Sequence, residues 1–108
     1  MVDNNDNDIF KKFTVIDFTS GESGAVCTEY LAMAGMNVIR VEKPGSAEKR
    51  SRYRFITDNL NKTCITLDVE KDEGKEIFSM LLNKADVLVE NLQHGGMEQL
   101  GFGYETVR

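Results

Sequence analysis

The first candidate for ligand chemistry is a glycine-containing turn near the amino terminus. The segment from Thr19 to Ala25 contains Gly21 and Gly24, and it stands between a short apolar run and a helical pattern. Glycines let backbone approach a ligand closely, and the unpaired amides at the start of a helix attract anions. The turn could hold a diphosphate or a thioester oxygen, although two glycines beside a helix start also form ordinary tight turns.

A second candidate is a basic segment between residues 43 and 54. It contains five basic side chains and one acidic side chain, Glu48, so its local charge is about +4 although the whole chain carries −5. A concentrated positive loop suits a phosphorylated nucleotide tail, and solvated surface charge is the alternative. The basic side chains are those of Lys43, Lys49, Arg50, Arg52 and Arg54.

The other reactive side chains fit catalysis poorly. His94 is the only histidine and stands beside two glycines, but general-base work needs an oriented partner. Cys27 falls on the apolar side of the first predicted helix, so we expect it to be buried. The spacing of Cys27 and Cys64 matches neither a zinc site nor a redox pair. The sequence therefore predicts two reduced thiols, no metal site, no covalently bound cofactor and no catalytic residue within these 108 positions.

Composition restricts the class of protein. A chain of 108 residues with 41% apolar content can form one compact core. Its acidic balance argues against nucleic acid or an anionic membrane as a partner, and no run approaches the roughly 20 apolar residues of a membrane span. Residues 1–12 are polar and lack the apolar core of a secretory signal. We expect a cytoplasmic protein with a polar tail at 1–12 and one α/β segment at 13–108.

Short strands alternate with helices along the sequence. Apolar runs rich in β-branched residues predict strands, here at Phe13–Phe18, Asn37–Glu42, Cys64–Leu67 and Asp86–Glu90. A helix is predicted between residues 22 and 35, a second is capped by Asp72, a short helical turn surrounds Met97 and Leu100, and residues 44–61 are expected to be irregular. The predicted buried faces of the two main helices are Val26, Cys27, Tyr30, Leu31, Met33 and Ala34, and Ile77, Phe78, Leu81, Leu82 and Ala85.

Helical crossovers between strands favour parallel pairing, because the chain must return across the sheet before it forms the next strand. The predicted fold is therefore an α/β fold with an open, mostly parallel, Rossmann-like sheet. Ligands of such sheets bind beyond the carboxyl ends of the strands. The loops after Phe18, Glu42, Leu67 and Glu90 are accordingly the predicted binding region.

Several blocks in the same order resemble the opening of class III CoA-transferases, of the formyl-CoA transferase or CaiB/BaiF type. Each block is moderately specific, and together they cover the chain from about Phe13 onward. Members of this family are several times longer, so the resemblance implies a partial, truncated amino-terminal domain of a larger protein. The blocks are 16–19 (IDFT), 24–28 (GAVCT), 35–45 (GMNVIRVEKPG), 61–68 (NKTCITLD) and 85–91 (ADVLVEN).

The resemblance implies transfer of coenzyme A from an acyl-CoA thioester to a carboxylic acid, through intermediates on an aspartate. A carboxylate nucleophile suits this exchange because its mixed anhydride can return the acyl group to a thiol. In the family that aspartate lies beyond residue 108, so the isolated chain is expected to be inactive. Full-length members are implied to be interlocked homodimers, and open sheet edges in this shorter chain favour self-association.

The resemblance also implies a set of coenzyme-A-binding positions. Near the thioester and the pantetheine arm it implies Gly21, Glu22 and Ser23; at the adenosine phosphate end, Lys43; and along the nucleotide pocket, Leu67, Asn91 and Leu92. Three positions depart from the family. Ala25 stands where proline is common, Leu92 replaces an aromatic residue, and Gln99 lies where an arginine or lysine is frequent.

Other functions fit the same residues. A 2-methylacyl-CoA racemase of the same family would have a similar amino-terminal segment. A nucleotide-binding module without catalysis could use Glu42 to hold a ribose hydroxyl, but the segment from Gly21 to Gly24 lacks the Gly-x-Gly-x-x-Gly order of dinucleotide sites. A third alternative is an assembly fragment that pairs through a sheet edge and binds no small molecule.

Overall fold

The computed structural model describes residues 9–48 and 51–108, which build one four-stranded open sheet. The spatial order of the strands is β3-β2-β1-β4, and the three pairings between neighbours are all parallel. This arrangement confirms the predicted α/β fold with an open parallel sheet. The strands are β1 (Thr14–Phe18), β2 (Asn37–Glu42), β3 (Thr63–Thr66) and β4 (Val87–Glu90).

Successive strands are connected by the helices α1 (Gly21–Met33), α2 (Arg52–Thr57) and α3 (Asp72–Leu82), and the last strand is followed by two short helices, α4 (Gly96–Leu100) and α5 (Tyr104–Val107). The prediction of an irregular stretch at 44–61 was wrong over α2, a six-residue helix without a buried residue and therefore without an apolar periodicity to reveal it. Asp72 was predicted as a helix cap but is the first helical residue, preceded by Lys71 at the cap position.

The two sides of the sheet carry separate apolar clusters, because successive residues of a strand face opposite sides. Ile16 and Val41 pack with the fully buried Phe78 of α3, whose ring lies 4.9 Å from the rings of both Phe18 and Phe102. On the other side, Val15 and Val38 pack with Ala32 of α1. The sheet is therefore covered on both sides near β1 and β2, and the strand ends remain accessible.

The predicted buried face of α1 was wrong. Tyr30 is 67% exposed and Met33 is 62% exposed, and the buried residues of this helix are the small ones, Gly24, Ala25, Thr28 and Ala32. Small side chains let the helix lie very close to the sheet: a Cβ atom at Gly24 would be 2.4 Å from the Cβ of Thr19. On α3, Ile77 was also predicted to be buried and is 48% exposed, whereas Phe78 is confirmed in the core.

Because the outer face of α1 contacts little of the chain, Tyr30→Ser and Met33→Ser should each change the free energy of unfolding by less than about 0.5 kcal/mol. Urea unfolding followed by circular dichroism measures this change. Ile16→Ala is the comparison, since Ile16 is fully buried and its truncation should lower the free energy of unfolding by about 2–5 kcal/mol. If either α1 variant lowered the free energy of unfolding by more than about 1.5 kcal/mol, which is the order of magnitude for a buried apolar side chain, the exposed placement of that face would be contradicted.

Candidate ligand-binding site

A cavity of about 510 Å³ lies at the carboxyl ends of the strands. Parallel strands bring all their carboxyl ends to one edge of the sheet, so four loops that are far apart in sequence contribute to a single wall. These are the loops that the sequence predicted as the binding region. Their contributions to the lining include Thr19, Ser20 and Gly21 after β1, Lys43 and Ser46 after β2, Leu67, Asp68, Val69 and Glu70 after β3, and Leu92, Gly96, Gln99 and Leu100 after β4.

The seven positions implied for coenzyme A separate into two groups. Four of them line this cavity together: Gly21, Lys43, Leu67 and Leu92. The other three, Glu22, Ser23 and Asn91, are exposed neighbours that do not belong to its described lining. The fold therefore brings one member of each predicted loop to the same space.

Asn91 joins the loops that follow β1 and β4. Its side-chain oxygen accepts a hydrogen bond from the backbone nitrogen of Ser20 at 2.8 Å, and its side-chain nitrogen donates to the backbone oxygen of Ser20 at 2.6 Å. In this sheet β2 and β3 lie on one side of β1 and β4 lies on the other, so the strand order reverses between β1 and β4. Open α/β sheets form their ligand crevice at such a point. Asn91 thus fixes the turn that leads into Gly21, and its two-point contact explains why an amide side chain suits this position.

Glu22 points to a different part of the surface. Its carboxylate forms an ion pair with the guanidinium of Arg54 in α2, and both side chains are exposed. The two residues line a smaller cavity of about 210 Å³ between the start of α1 and α2. The ion pair joins α2 to the first turn of α1, so the charge of Glu22 is directed away from the larger cavity.

The basic segment is only partly described. Lys49 and Arg50 lie outside the described residues, and Arg54 pairs with Glu22. Lys43 forms an ion pair with Glu70, with 2.8 Å between the ammonium nitrogen and a carboxylate oxygen, and the side chains are 64% and 62% exposed. The hydrogen bond to Glu70 and the charge of its carboxylate raise the pKa of Lys43, and Asp68 adds to this effect. The local excess of positive charge is therefore compensated at the described positions Lys43 and Arg54.

Beneath the cavity lies a buried charge cluster centred on Asp17. Its carboxylate accepts hydrogen bonds from the hydroxyls of Thr19 and Thr28, each at 2.6 Å. The ammonium of Lys62 lies 3.0 Å from the carboxylate, and the guanidinium of Arg40 lies 3.2 Å from it. The side chains of Asp17 and Lys62 are fully buried, and that of Arg40 is 10% exposed, so a largely buried cluster joins β1, α1, β2 and the segment before β3.

Burial and the contacts within the cluster have opposite effects on the pKa values of Asp17 and Lys62. Burial alone would raise the pKa of Asp17, but the hydrogen bonds from Thr19, Thr28 and Lys62 and the charge of Lys62 outweigh burial and lower it. Burial lowers the pKa of Lys62 despite the hydrogen bond and the charge of Asp17. Lys62 also donates to the backbone oxygens of Ala25 and Asp58. These protein oxygen atoms replace the hydrogen bonds that the ammonium would make to water in the unfolded chain.

Arg40 connects this cluster to the cavity. Its Nε donates to the carboxylate of Glu42 at 3.3 Å, its guanidinium carbon lies 5.9 Å from the ring centre of Phe55, and its side chain is 10% exposed. Both Arg40 and Glu42 line the cavity. Glu42 therefore directs a carboxylate oxygen at Arg40, which reduces its suitability as the ribose-binding acid of a dinucleotide site.

The sequence carried a signal for part of this cluster that the predictions did not use. Asp17 and Arg40 are charged residues within otherwise apolar strands, and they are direct neighbours in the register of β1 and β2. A charge inside a buried strand implies a partner of opposite charge. No comparable signal exists for Lys62, because its contact with Asp17 joins residues 45 positions apart and depends on the folded path of the chain.

The remaining reactive side chains lie outside the main cavity. Both cysteines are exposed and neither is in a disulfide, so the predicted burial of Cys27 was wrong; the sheet-facing side of α1 is made of smaller residues. His94 is exposed and lines a separate open groove beside β4. Within residues 9–48 and 51–108, no group of three or more histidine, cysteine, aspartate or glutamate side chains could hold a metal ion. In the same ranges, no helix has the length and apolar character of a membrane span.

The chain is an α/β protein with an open parallel sheet, and its cavity lies at the strand ends, where ligands of such sheets bind. The sequence pattern of CoA-transferase family III matches residues 10–108, so the chain belongs to this family. It is 39% identical over 104 residues to a formyl-CoA:oxalate CoA-transferase of Rhodopseudomonas palustris, which covers 87% of this chain and 24% of that protein. It is 38% identical to an Escherichia coli protein of the same name, again over 87% of this chain and 25% of the relative.

Solved structures with a similar fold include a member of the same family. A hypothetical protein from Mycobacterium tuberculosis matches 89% of this chain and 29% of its own, with a TM-score of 0.82 and 33% identity. A CaiB/BaiF family protein from Brucella suis matches 88% of this chain and 29% of its own, with a TM-score of 0.82 and 28% identity. The chain thus spans about a quarter of the length of the curated relatives that it matches, and the resemblance predicted from the sequence is confirmed.

Proposed function

We propose that the strand-end cavity binds the coenzyme A part of an acyl-CoA thioester, within a CoA-transferase that moves coenzyme A to a carboxylic acid. The observation that carries this proposal is the meeting of Gly21, Lys43, Leu67 and Leu92 around one space of about 510 Å³. Membership of CoA-transferase family III supports the general activity. The volume is within the usual range for sites that hold small molecules and cofactors.

The lining suits the separate parts of such a ligand. Leu67, Leu92 and Leu100 give an apolar wall against which an adenine ring or a pantetheine arm could pack. The glycine turn at Gly21 exposes backbone at the start of α1, a helix of 13 residues whose first amides can receive an anionic oxygen. Lys43 stands at the rim as a cation for phosphate. The cavity therefore serves as a holder for the thioester carrier.

The chemical step in this proposal uses an aspartate carboxylate. None of these 108 residues is assigned that role. The carboxylate attacks the thioester carbonyl, so the carbon–sulfur bond breaks, an acyl–aspartyl anhydride forms and the coenzyme A thiolate leaves. The thiolate then attacks the aspartyl carbonyl and releases the first acid. The carboxylate of the second acid then attacks the aspartyl thioester, which displaces the thiolate and forms a second anhydride. The thiolate attacks the acyl carbonyl of that anhydride, so the new acyl-CoA forms and the aspartate carboxylate is restored. The residues described here hold the thiolate carrier between those steps.

Isothermal titration of the purified chain with coenzyme A and, separately, with NAD tests the proposal. We expect a saturable heat with coenzyme A alone. Gln99→Trp should weaken this binding at least about tenfold, because Gln99 lies on the cavity wall and is exposed, so a larger side chain can fill the space without disturbing the core. Ser79→Trp introduces the same side chain at an exposed position of α3 outside the cavity and should leave the affinity unchanged.

The other outcomes of the titration assign the chain to its alternatives. Binding of NAD with no response to coenzyme A would indicate a dinucleotide-binding module. No heat from either ligand, together with concentration-dependent association in analytical ultracentrifugation, would indicate an assembly fragment. Equal effects of Gln99→Trp and Ser79→Trp on coenzyme A binding would remove the strand-end cavity from the proposal.

A further inference from the structure

The charges around the strand-end cavity do not favour a polyanionic ligand. Among its described lining residues, the cationic side chains are those of Arg40 and Lys43, and the anionic ones are those of Glu42, Asp68 and Glu70. Recognition of phosphate usually depends on cations that can form charge-assisted hydrogen bonds with it. The described lining therefore lacks the positive excess that a nucleotide tail would be expected to meet.

Both cations are already engaged. Arg40 is held by the carboxylates of Asp17 and Glu42 and is 10% exposed, so it contributes little to a ligand at the rim. Lys43 is more exposed, but its ammonium lies 2.8 Å from the carboxylate of Glu70. A phosphate that approaches Lys43 must displace this carboxylate or remain beside it, and in both cases the negative charge of Glu70 opposes binding.

Glu70 is held in place by its own turn. Its backbone nitrogen donates to the side chain of Asp68 at 3.2 Å, and the backbone nitrogen of Lys71 donates to the backbone oxygen of Asp68 at 3.2 Å. This turn follows β3 directly, and Leu67, Asp68, Val69 and Glu70 all line the cavity. The carboxylate is therefore presented across the cavity rim toward the loop after β2 by a defined turn.

We propose that Glu70 is a specificity-determining residue, which competes with the phosphates of the ligand for Lys43 and so lowers the contribution of those phosphates to binding. The proposal rests on the proposed function, because it takes a coenzyme A thioester as the ligand class. In the natural chain the apolar wall and the glycine turn then supply most of the affinity. Lys43 is a reserve cation whose attraction for phosphate is offset by Glu70.

A double-mutant cycle in the full 108-residue chain tests this competition, with coenzyme A affinity measured by titration calorimetry. Glu70→Gln should raise the affinity for coenzyme A by about three- to tenfold, since a neutral amide of similar shape no longer repels phosphate. Lys43→Ala should reduce the affinity less than about twofold in the natural chain, but about three- to tenfold in the Glu70→Gln background. Pantetheine, which has no phosphates, should bind all four chains alike.

Glu76→Gln is the matched control, because it removes the same charge from an exposed position of α3 outside the cavity. It should change the affinity for coenzyme A less than about twofold. Equal losses from Lys43→Ala in both backgrounds, or an equal gain for pantetheine and coenzyme A on Glu70→Gln, would overturn the role of Glu70 and leave the proposed function intact. Failure of coenzyme A to bind either the natural chain or Glu70→Gln would overturn both.

Discussion

Asp17→Asn should lower the free energy of unfolding by about 3–5 kcal/mol, because it leaves buried cations without their counter-charge. The side chains of Asp17 and Lys62 are fully buried, and Arg40 is 10% exposed. An amide keeps the shape of the carboxylate, but its nitrogen would face the donors that Asp17 now accepts from. Urea unfolding at pH 7 measures the loss.

The specificity of this result can be checked with two further variants. Asp72→Asn makes the same chemical change at an exposed position in the first turn of α3 and should lower the free energy of unfolding by less than about 1 kcal/mol. Asp17→Asn combined with Lys62→Met should be less destabilised than the sum of the single variants, since it removes both members of a buried pair. Additive losses, or a loss below about 1 kcal/mol for Asp17→Asn alone, would contradict the role assigned to the cluster.

The same cluster predicts a pH dependence. The pKa of Asp17 is lowered from its ordinary value of 3.8, so its contribution is complete above that value and is lost as pH falls through the lower pKa of the folded state. The pKa of Lys62 is also lowered in the folded chain. For both groups the unfolded chain binds protons more tightly than the folded chain, so a rise in pH favours folding. Between about pH 5 and pH 2, a range that includes the ordinary aspartate pKa, the free energy of unfolding of the natural chain should fall further than that of Asp17→Asn.

The fold class could be predicted because it depends on local signals. Asn37–Glu42 was predicted with its observed bounds, since an apolar run stands between Gly35 on one side and Pro44-Gly45 on the other. The other strands agree to within one residue at each end. The alternation of such runs with helices determines parallel pairing, and no long-range information was needed to infer it.

The faces of the helices were harder to predict, because periodicity gives an apolar stripe but not the distance between helix and sheet. Tyr30 and Met33 form a stripe on α1, yet the helix uses Ala25, Thr28 and Ala32 against the sheet. Thr28 faces inward because its hydroxyl has a buried acceptor in Asp17. A polar group on the inner face was therefore favoured by a contact that hydropathy cannot represent.

The loops that meet around the cavity could be predicted from the sequence, but the pairing of their charges could not. The family resemblance indicated Gly21, Lys43, Leu67 and Leu92, and the parallel sheet explains why loops so far apart in sequence meet. The pairing of Lys43 with Glu70 joins residues 27 positions apart. A count of basic residues in one segment cannot reveal such a partner, because the partner belongs to another loop and reaches the segment only in the folded chain.

Gly74→Ala should lower the free energy of unfolding by about 2–4 kcal/mol, although alanine is the better helix former by about 1 kcal/mol. Gly74 lies in the first turn of α3 and is buried against the turn after β3. A Cβ atom there would be 1.8 Å from the backbone oxygen of Asp68 and 2.6 Å from its carbonyl carbon. Both obstacles are backbone atoms, so the helix or the turn must move.

Glu76→Ala is the matched comparison, since it tests alanine in the same helix at an exposed position and should leave the free energy of unfolding within about 0.5 kcal/mol of the natural chain. Urea unfolding of both variants separates the effect of close approach from that of helix propensity. The turn that Gly74 contacts also carries Glu70, so its displacement should alter coenzyme A affinity in the folded Gly74→Ala chain. Stability equal to or above that of the natural chain would mean that α3 does not lie against Asp68, and the turn would then lose the support that holds Glu70 at the cavity rim.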